Sequence, residues 1–392
     1  MKTKQNDKKY IANTYARFDL EIAGGEGSVL YGVDGKSYID MGTGIAVNTF
    51  GIDKEWAQAV KDQIDSGLTH TSNLYYSSPM ATLAKMLCTR TGAKKVFFGN
   101  SGAEANECAI KVARKWGLEN KGEGNTTIVT LKNSFHGRTV TTLAATGQEV
   151  FHKDFGPFTQ GFVYATPDDA DELVELVKSN GCCAIMIELV QGEGGVYPLS
   201  REYVDTIVKL CEKEKLLLIV DEVQTGNGRS GSLYAYMEYG ITPDVVTTAK
   251  GLGGGLPIGA CMMFEKTENV LTPGSHGSTF GGNPIAAAGA VNVLSRLNAK
   301  MLKGVKMRSE YIKNELTGAA GVKSVSGLGL MLGIETVADA GLVIKECMNR
   351  GVLPLKAKNK VRLLPALNIP MPLLKKAIKV IKEVTEELAN ES

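Results

Sequence analysis

The most distinctive hydrophobic pattern in the chain is a run of five apolar residues, Leu216 to Val220, with a charged residue at each end. An uninterrupted apolar run is typical of a strand that is buried on both faces of a parallel sheet. A second short strand is expected over residues 244–249, and it ends at Lys250. Because open α/β sheets bind ligands at the carboxyl ends of their strands, we expect Asp221 and Lys250 to meet at one ligand-binding edge.

Short apolar runs alternate with helical patterns from residue 94 onward, which predicts a sheet with helices on both faces. Upstream, an Asp-Gly pair separates two apolar runs and predicts a hairpin over residues 28–40. We expect further strands at residues 95–98, 127–131 and 183–188, and helices at residues 54–67, 79–91, 101–116 and 284–297. The C-terminal part mixes both periods, as a smaller α+β domain does, with helices at residues 301–316, 338–350 and 372–389 and strands at residues 322–325, 330–335 and 361–364.

The composition is ordinary for a globular protein, with 43% hydrophobic and 22% charged residues. A chain of 392 residues is too long for one ordinary core, so two or three domains are expected. A formal charge of +2, without a basic arm or stripe, argues against nucleic-acid binding. Residues 1–9 lack the apolar core of a signal peptide, and no apolar run is long enough to span a membrane. We therefore expect a cytoplasmic protein whose partners are small molecules.

The cysteines and histidines do not indicate a disulfide framework or a metal site. The seven cysteines include no Cys-x-x-Cys pair, and most lie in apolar strands or helices, so buried thiols are expected. The four histidines are scattered, and none has a second His or Cys at the spacing of metal ligands. We predict no metal.

Asp221 and Lys250 together suit one cofactor chemistry. If the cofactor is pyridoxal 5′-phosphate (PLP), Lys250 would form the Schiff base and Asp221 would pair with the protonated ring nitrogen. The glycines that follow Lys250 would let the backbone approach the ring closely. Taken singly, each residue has a simpler explanation, because an Asp at a strand end often makes a turn and a Lys often lies on the surface.

Other candidate residues lie where strands end. The small-residue turn from Gly99 to Glu104 opens a helix and could hold a phosphate on its free amides, or could be an ordinary Ser N-cap with a capping box. Phe135 could stack on a flat cofactor or belong to the core, and Arg138 could bind a carboxylate. Glu188 and Glu193 flank a glycine turn and would need partners if buried, as would Arg362 inside an apolar strand.

Several motifs in this order give a specific resemblance: Ser101–Glu107, Phe135–Arg138, Gln191–Gly195, Asp221–Gly226, Lys250–Gly251 and Gly277–Pro284. With them, the chain resembles the class III, or ornithine-type, aminotransferases of PLP fold type I over essentially its full length. The resemblance implies an α/β fold, in which a large domain has a mixed, mostly parallel sheet with helices on both faces. It also implies that residues 51–290 form this PLP-binding domain, and that residues 1–50 and 291–392 build a smaller α+β domain.

The resemblance further implies which residues hold the cofactor. Lys250 would carry PLP and shuttle a proton, Asp221 would hold the ring nitrogen, and Val223 and Phe135 would sandwich the ring. Gln224 would reach the phenolic oxygen, and the amides of Gly102 and Ala103 would hold the phosphate. The implied cofactor site as a whole contains Ser101, Gly102, Ala103, Phe135, His136, Glu188, Asp221, Val223, Gln224, Lys250 and Thr279. Thr279 would come from the other subunit of a homodimer with shared active sites.

The implied substrate residues are Arg138, Arg362, Ser278, Tyr15 and Ile45. Arg138 would take a substrate carboxylate. Arg362 would take the α-carboxylate of glutamate or 2-oxoglutarate and otherwise pair with Glu193, which joins Lys250 and Asp221 as a catalytic residue. Within the family the chain is most similar to the acetylornithine type, which has an apolar residue at the position of Ile45. The expected reaction transfers the distal amine of N2-acetyl-L-ornithine to 2-oxoglutarate, giving N-acetyl-glutamate 5-semialdehyde and glutamate in arginine biosynthesis.

Two departures from the family pattern concern the substrate and not the reaction. Asp19 replaces the usual Pro, and Ile52 stands where the family commonly has His. Alternative substrates are ornithine, 4-aminobutyrate and N-succinyl-diaminopimelate. Two other classes of protein are disfavoured. A dinucleotide-binding oxidoreductase would need a strand-turn-helix around the glycines after Lys250, and a PLP-binding regulator would need a DNA-binding region.

Overall fold

The structure is a computed structural model, and it describes residues 2–391. This range contains seventeen strands and fourteen α-helices. The strands are β1 (Ile22–Glu26), β2 (Val29–Gly32), β3 (Ser37–Asp40), β4 (Lys95–Gly99), β5 (Thr127–Leu131), β6 (Phe162–Ala165), β7 (Cys182–Ile187), β8 (Val190–Gln191), β9 (Tyr197–Pro198), β10 (Leu217–Asp221), β11 (Val245–Thr248), β12 (Gly259–Met263), β13 (Val322–Leu328), β14 (Met331–Thr336), β15 (Val352–Leu353), β16 (Leu355–Ala357) and β17 (Lys360–Leu363). The helices are α1 (Lys2–Tyr10), α2 (Thr43–Ala46), α3 (Lys54–Asp65), α4 (Ser78–Thr91), α5 (Gly102–Lys121), α6 (Val140–Ala145), α7 (Glu149–His152), α8 (Ala170–Ser179), α9 (Arg201–Glu214), α10 (Ala235–Glu238), α11 (Pro284–Arg296), α12 (Ala299–Leu316), α13 (Ala340–Asn349) and α14 (Met371–Asn390).

A seven-stranded sheet in the order β4-β12-β11-β10-β7-β5-β6 forms the large layer of the fold. β10 lies between β7 and β11 and is parallel to both, with Ile219 opposite Met186 on one side and Val245 on the other. β12 is antiparallel to its neighbours β11 and β4, so the sheet is mixed but mostly parallel. The predicted fold class, and the prediction of a strand buried between parallel neighbours, are confirmed.

Alternate residues of β10 point into different hydrophobic clusters. Leu218 and Val220 belong to one cluster, and Leu217 and Ile219 belong to another. None of these four side chains is more than 3% exposed. Because successive side chains of a strand point to opposite faces, a strand that is apolar at every position must be covered on both sides. The sequence pattern of residues 216–220 is explained by this double burial.

Of two smaller sheets, one joins residues from both ends of the chain and the other is formed by the C-terminal part alone. The predicted hairpin is present, since β2 and β3 pair antiparallel, and β15 adds to β3 with Val352 opposite Ile39. The second sheet has the order β13-β14-β17-β16 and places Arg362 opposite Gly333. The division into residues 1–50, 51–290 and 291–392 stays a prediction. Met1 and Ser392, the outermost residues of that division, lie outside the described range.

Helix α5 is longer than predicted and ends at Lys121 rather than near residue 116. Gly117, which weakens the helical pattern in the sequence, is required by packing. A Cβ at this position would lie 2.3 Å from the carbonyl oxygen of Asn125 and 2.5 Å from the Cβ of Cys183. The helix therefore continues through a close contact with its neighbours and stops before Gly122, which has a φ of +85°.

No helix of residues 2–391 combines the length and the hydrophobicity that crossing a membrane requires. The cysteines are all free thiols, and six of the seven are buried, while Cys88 is partly exposed. The expectation of buried thiols is confirmed for those six.

Candidate active site

A cavity of about 510 Å3 opens at the carboxyl ends of β10 and β11, beside the start of α5. Eleven of the residues predicted from the sequence line it: Ser101, Gly102, Ala103, Phe135, His136, Arg138, Glu188, Asp221, Val223, Gln224 and Lys250. These residues come from five separate segments of the chain. The parallel strands bring them together because the ends of such strands share one edge of the sheet.

The carboxylate of Asp221 is buried and accepts three hydrogen bonds. Its Oδ2 accepts from the amide Nδ2 of Asn106 and from Nδ1 of His136, each at 2.8 Å, and its Oδ1 accepts from the backbone amide of Val223 at 3.0 Å. An ionised carboxylate has about four acceptor positions, so one on Oδ1 remains for a donor in the cavity. Asp221 thus stabilises the turn after β10, as an Asp at a strand end often does, and it also lines the cavity.

The hydrogen bond with Asp221 also affects the protonation of His136. Burial of His136 opposes its charged form, but its hydrogen bond with Asp221 and the nearby negative charge raise the pKa of the imidazole. Nδ1 of His136 is the donor in this pair, because the Asp221 oxygen can only accept. Nε2 is buried and has no partner within the described part of the chain.

Lys250 follows β11 and begins a short 3₁₀ turn that ends at Leu252. Burial is the largest influence on its amine and lowers the pKa, while the charge of Glu193 opposes this effect and that of Arg362 adds to it. The turn is fixed from outside, since the hydroxyl of Thr49 donates to the carbonyl of Gly251 at 2.6 Å. Lys250 is therefore a cavity amine that loses its proton more readily than a surface lysine.

The start of α5 combines both explanations that the sequence left open. Ser101 is the N-cap, and its hydroxyl accepts from the amide of Glu104 at 3.1 Å. The amides of Gly102 and Ala103 have no acceptor among residues 2–391, as expected in a first helical turn. A Cβ on Gly102 would lie 2.7 Å from a methyl group of Val223, so only glycine allows this close approach. The capped turn still presents two amides to an anion.

Arg138 rests on aromatic rings rather than on an acidic partner. Its guanidinium carbon lies 3.9 Å from the ring centre of Phe151 and 5.5 Å from that of Phe135. The two rings are nearly perpendicular, with centres 5.9 Å apart. Arg138 is exposed and lines the cavity, and its N–H groups have no acceptor among residues 2–391, so they can bind an anion.

Glu188 is buried at the cavity wall and joins two loops. Its carboxylate accepts from the backbone amide of Phe135 at 2.9 Å and from that of Gly192 at 3.3 Å. Burial raises the pKa of Glu188 to about 7, although the charge of His136 acts in the opposite direction. We expected Glu188 to need partners if it were buried, and these partners are two backbone amides.

Glu193 and Arg362 form an ion pair beside the cavity. Nη1 of Arg362 lies 2.6 Å from the carboxylate of Glu193 and also donates to Oε1 of Gln224 at 3.2 Å. Arg362 is 2% exposed. Burial raises the pKa of Glu193, but the charge of Arg362 outweighs this and the net effect is a lowered pKa. Gln224 lines the cavity, so the ion pair is one side chain away from it.

Besides Glu193 and Arg362, four predicted residues do not line this cavity within the described chain. Thr279 and Ser278 lie in a separate pocket with His70 and Leu74, although the hydroxyl of Ser278 accepts from Asn100 at the cavity rim at 3.2 Å. Tyr15 is 70% exposed, and Ile45 is 40% exposed at a φ of +64°. The positive φ is unusual for a β-branched residue.

The two residues that depart from the family pattern are also outside the cavity. Asp19 accepts from Lys4 at 2.5 Å on the surface. Ile52 pairs through its backbone with Gly27, and each residue donates its amide to the carbonyl of the other. Neither residue contributes a side chain to the cavity wall.

Sequence analysis missed Asn106 and Phe151. Asn106 donates to both Asp221 and the carbonyl of His136, and its own carbonyl accepts from the hydroxyl of Thr247 at 2.6 Å. A signal was present, because Asn106 is a polar residue on the apolar face of α5, one turn before Ile110. Phe151 gave no such signal, because it lies in the four-residue helix α7, which is too short to show an apolar pattern of helical period.

Comparisons with known proteins agree with this geometry. The model of the family described as aminotransferase class-III matches residues 10–385. The acetylornithine aminotransferase of Haemophilus ducreyi is 47% identical to the chain and covers 98% of it, with 98% of its own length. The succinylornithine transaminase of Citrobacter koseri is 43% identical and covers 94% of the chain, with 93% of its own length. The solved structure of the ornithine aminotransferase of Toxoplasma gondii has a TM-score of 0.94 at 30% identity and covers 99% of the chain, with 95% of its own.

The family model spans nearly the whole chain, and a relative is almost half identical along its full length. The chain belongs to the class III aminotransferases. Its cofactor is PLP, and the Toxoplasma enzyme contains PLP at partial occupancy at the active site. The cavity of this class III aminotransferase fits the cofactor, since it offers a free acceptor on Asp221, the amine of Lys250, and the open amides of Gly102 and Ala103.

We predict that Lys250→Ala binds PLP without the yellow absorbance of a covalent lysine link and loses transamination. The reason is that Lys250 supplies the amine at the cavity wall. Absorbance spectra and glutamate formation measure the two effects. Lys213→Ala, which removes an exposed lysine from α9, is the matched control and should keep both properties. Full activity of Lys250→Ala would contradict the assignment.

Proposed function

We propose that this class III aminotransferase transfers the distal amine of N2-acetyl-L-ornithine to 2-oxoglutarate, giving N-acetyl-glutamate 5-semialdehyde and glutamate in arginine biosynthesis, in the cytoplasm. The observation that carries the proposal is the 47% identity, over 98% of both chains, to an acetylornithine aminotransferase. A second candidate substrate is N-succinylornithine, because a succinylornithine transaminase is 43% identical over 94% of the chain. Both candidates carry an acyl group on the α-amine and a free distal amine.

The first prediction from this proposal concerns substrate choice. With 2-oxoglutarate as acceptor, we expect kcat/KM for N-acetylornithine to exceed that for ornithine by at least about tenfold, or about 1.4 kcal/mol. The physical reason is that the charged α-amine of ornithine loses water without gaining a partner beside an apolar residue such as Ile45. Glutamate formation with N-acetylornithine, N-succinylornithine, ornithine, 4-aminobutyrate and N-succinyl-diaminopimelate provides the measurement. A preference for one of the last three amines would refute the proposed substrate.

The proposed cofactor contacts use the atoms that remain free in the cavity. Asp221 would accept from the protonated ring nitrogen with its open Oδ1 position, and Phe135 and Val223 would cover the two ring faces. Gln224 would reach the phenolic oxygen, and Ser101, Gly102 and Ala103 would hold the phosphate at the start of α5. His136 and Glu188 would support these contacts through Asp221 and through the backbone of Phe135.

PLP, when bound, supplies an electron sink for the substrate carbon that carries the reacting amine. We assign the proton transfer at this carbon to Nζ of Lys250. An amine with a lowered pKa is a better proton acceptor near neutral pH than an ordinary lysine, because a larger fraction of it is unprotonated. The nearby carboxylate of Glu193 opposes this lowering and would stabilise the protonated amine that forms.

The two arginines would serve two different substrates. In N-acetylornithine the carboxylate is far from the reacting amine, and Arg138 would hold it. In glutamate the α-carboxylate is beside the reacting carbon, and Arg362 would hold it after separating from Glu193. The ion pair at 2.6 Å supports this arrangement, because Glu193 covers a buried charge when no carboxylate is bound to Arg362.

We predict that Glu193→Gln or Glu193→Ala raises the rate of the half-reaction with glutamate relative to that with N-acetylornithine by about 10-fold, since each ~1.4 kcal/mol corresponds to a tenfold change. The physical reason is that Arg362 no longer has to leave an ionised partner before it binds glutamate. Single-turnover measurements of both half-reactions give the ratio. An equal loss with both donors would mean that Glu193 only braces the glycine turn.

We also propose a homodimer in which Thr279 of one subunit completes the site of the other. Large apolar side chains beside Thr279 support this, because Leu74 is 89% exposed and Phe280 is 57% exposed. Exposed apolar residues of this kind are typical of subunit contacts. Tyr15 and Ile45, which are also exposed, would contact substrate in the complete assembly.

The dimer proposal predicts rescue between two inactive variants. Lys250→Ala and Thr279→Ala subunits, co-expressed with different tags, should form heterodimers with one doubly altered site and one unaltered site. The purified heterodimer should therefore have about half of the wild-type activity per dimer, more than either variant alone. If both residues served the site of their own chain, no unaltered site would form and no rescue would occur.

A further inference from the structure

The two substrate arginines are held in different ways. Arg362 is buried against the carboxylate of Glu193 at 2.6 Å. Arg138 has no hydrogen bond or ion pair within the described part of the chain, and its guanidinium instead lies 3.9 Å from the ring centre of Phe151. A substrate carboxylate must displace an anion to reach Arg362, but it meets no competing anion at Arg138.

Phe151 is fixed to the same loop that carries Arg138. It lies in the short helix α7, and this helix begins directly after Gly147 and Gln148. The side chain of Gln148 donates to the carbonyl of Ser134 at 3.0 Å, and the amide of Gly147 donates to the hydroxyl of Ser134 at 3.0 Å. Because Ser134 precedes Phe135 and Arg138 in one loop, the ring and the guanidinium share one support. Their contact is therefore built into the site rather than made by a freely moving side chain.

We propose that Phe151 is a positioning residue that holds Arg138 ready for the substrate carboxylate. The proposal rests on the proposed role of Arg138 as the carboxylate anchor. A guanidinium on an aromatic face is attracted by the ring electrons, and its N–H groups still point outward in its plane. The stack therefore limits the rotamers of a flexible side chain without occupying the donors that bind a carboxylate.

This arrangement would affect binding of the carboxylate more than the chemical step. Ordering an arginine side chain costs entropy, and a stacked arginine has lost part of that entropy before the substrate arrives. Replacing Phe151 by an apolar residue without a ring would return this cost to substrate binding. The contact between Phe151 and Arg138 takes no part in the proton transfer assigned to Lys250, so the single-turnover rate at saturating substrate should change little.

The test compares two amine donors that differ only in the carboxylate: N-acetylornithine and N-acetyl-1,4-diaminobutane. Phe151→Leu in the PLP-loaded enzyme should raise the half-saturating concentration of N-acetylornithine by about threefold to fivefold, the range expected for a cation–π contact. The single-turnover rate at saturation should stay within about twofold, and half-saturation by the donor without a carboxylate should not change. Phe151→Tyr keeps the ring and should restore the wild-type value.

Two control variants make the result decisive. Phe155→Leu removes an aromatic residue that is 66% exposed, and the rings found near Arg138 within residues 2–391 are those of Phe135 and Phe151, so this variant should have no effect. Arg138→Leu should weaken N-acetylornithine far more than the other donor. If Arg138→Leu shows this effect and Phe151→Leu does not, the positioning role is wrong while the anchor role stands. If Arg138→Leu affects both donors equally, both assignments are wrong. An equal rise in the half-saturating concentrations of both donors in Phe151→Leu also overturns the positioning role. Partial unfolding cannot imitate the expected result, because it would lower the single-turnover amplitude with both donors and would leave the ratio of their half-saturating concentrations unchanged.

Discussion

The burial of the Asp221 carboxylate is the constraint on which the site depends. A charge inside a protein is tolerated only when donors surround it, and here the donors come from α5, from the loop after β5 and from the turn after β10. Asn106 also holds the carbonyl of His136, so satisfying one carboxylate fixes three segments relative to one another. Any movement of one of these segments would therefore remove a hydrogen-bond donor from the buried charge.

The same principle shapes the rest of the cavity, with different partners for each charge. Glu188 accepts hydrogen bonds from two backbone amides, while burial raises its pKa to about 7. Arg362 is compensated by Glu193, which binds it directly. Arg138 is not buried and needs only an aromatic surface beside it. The three side chains therefore differ in the free energy that is needed to separate each from its partner when a ligand binds.

The sheet supplies the positions on which these partners depend. β10 and β11 are parallel and adjacent, so Asp221 pairs with Thr247, and Lys250 follows shortly after on the same edge. The hydroxyl of Thr247 donates a hydrogen bond to Asn106, and Asn106 donates one to Asp221. The antiparallel β12 then carries the chain away from the edge, and residues 255–258 between them close one wall of the cavity. The glycines after Lys250 lie in this reversal, in and after the short 3₁₀ turn, and no α-helix follows them before β12.

The sequence alone determined the central strands, the sheet edge and the pair Asp221 and Lys250, because an apolar run and the polar residue that ends it are local properties of the chain. It also indicated α5 and its cap, but not the length of α5, since Gly117 is explained only by contact with Cys183. Tertiary structure decided the partners. Asn106 lies 115 residues from Asp221, and Glu193 lies 169 residues from Arg362. Phe151 meets Arg138 where Gly147 and Gln148 bind Ser134. Such contacts depend on how distant segments pack, and no local pattern of residues specifies that packing.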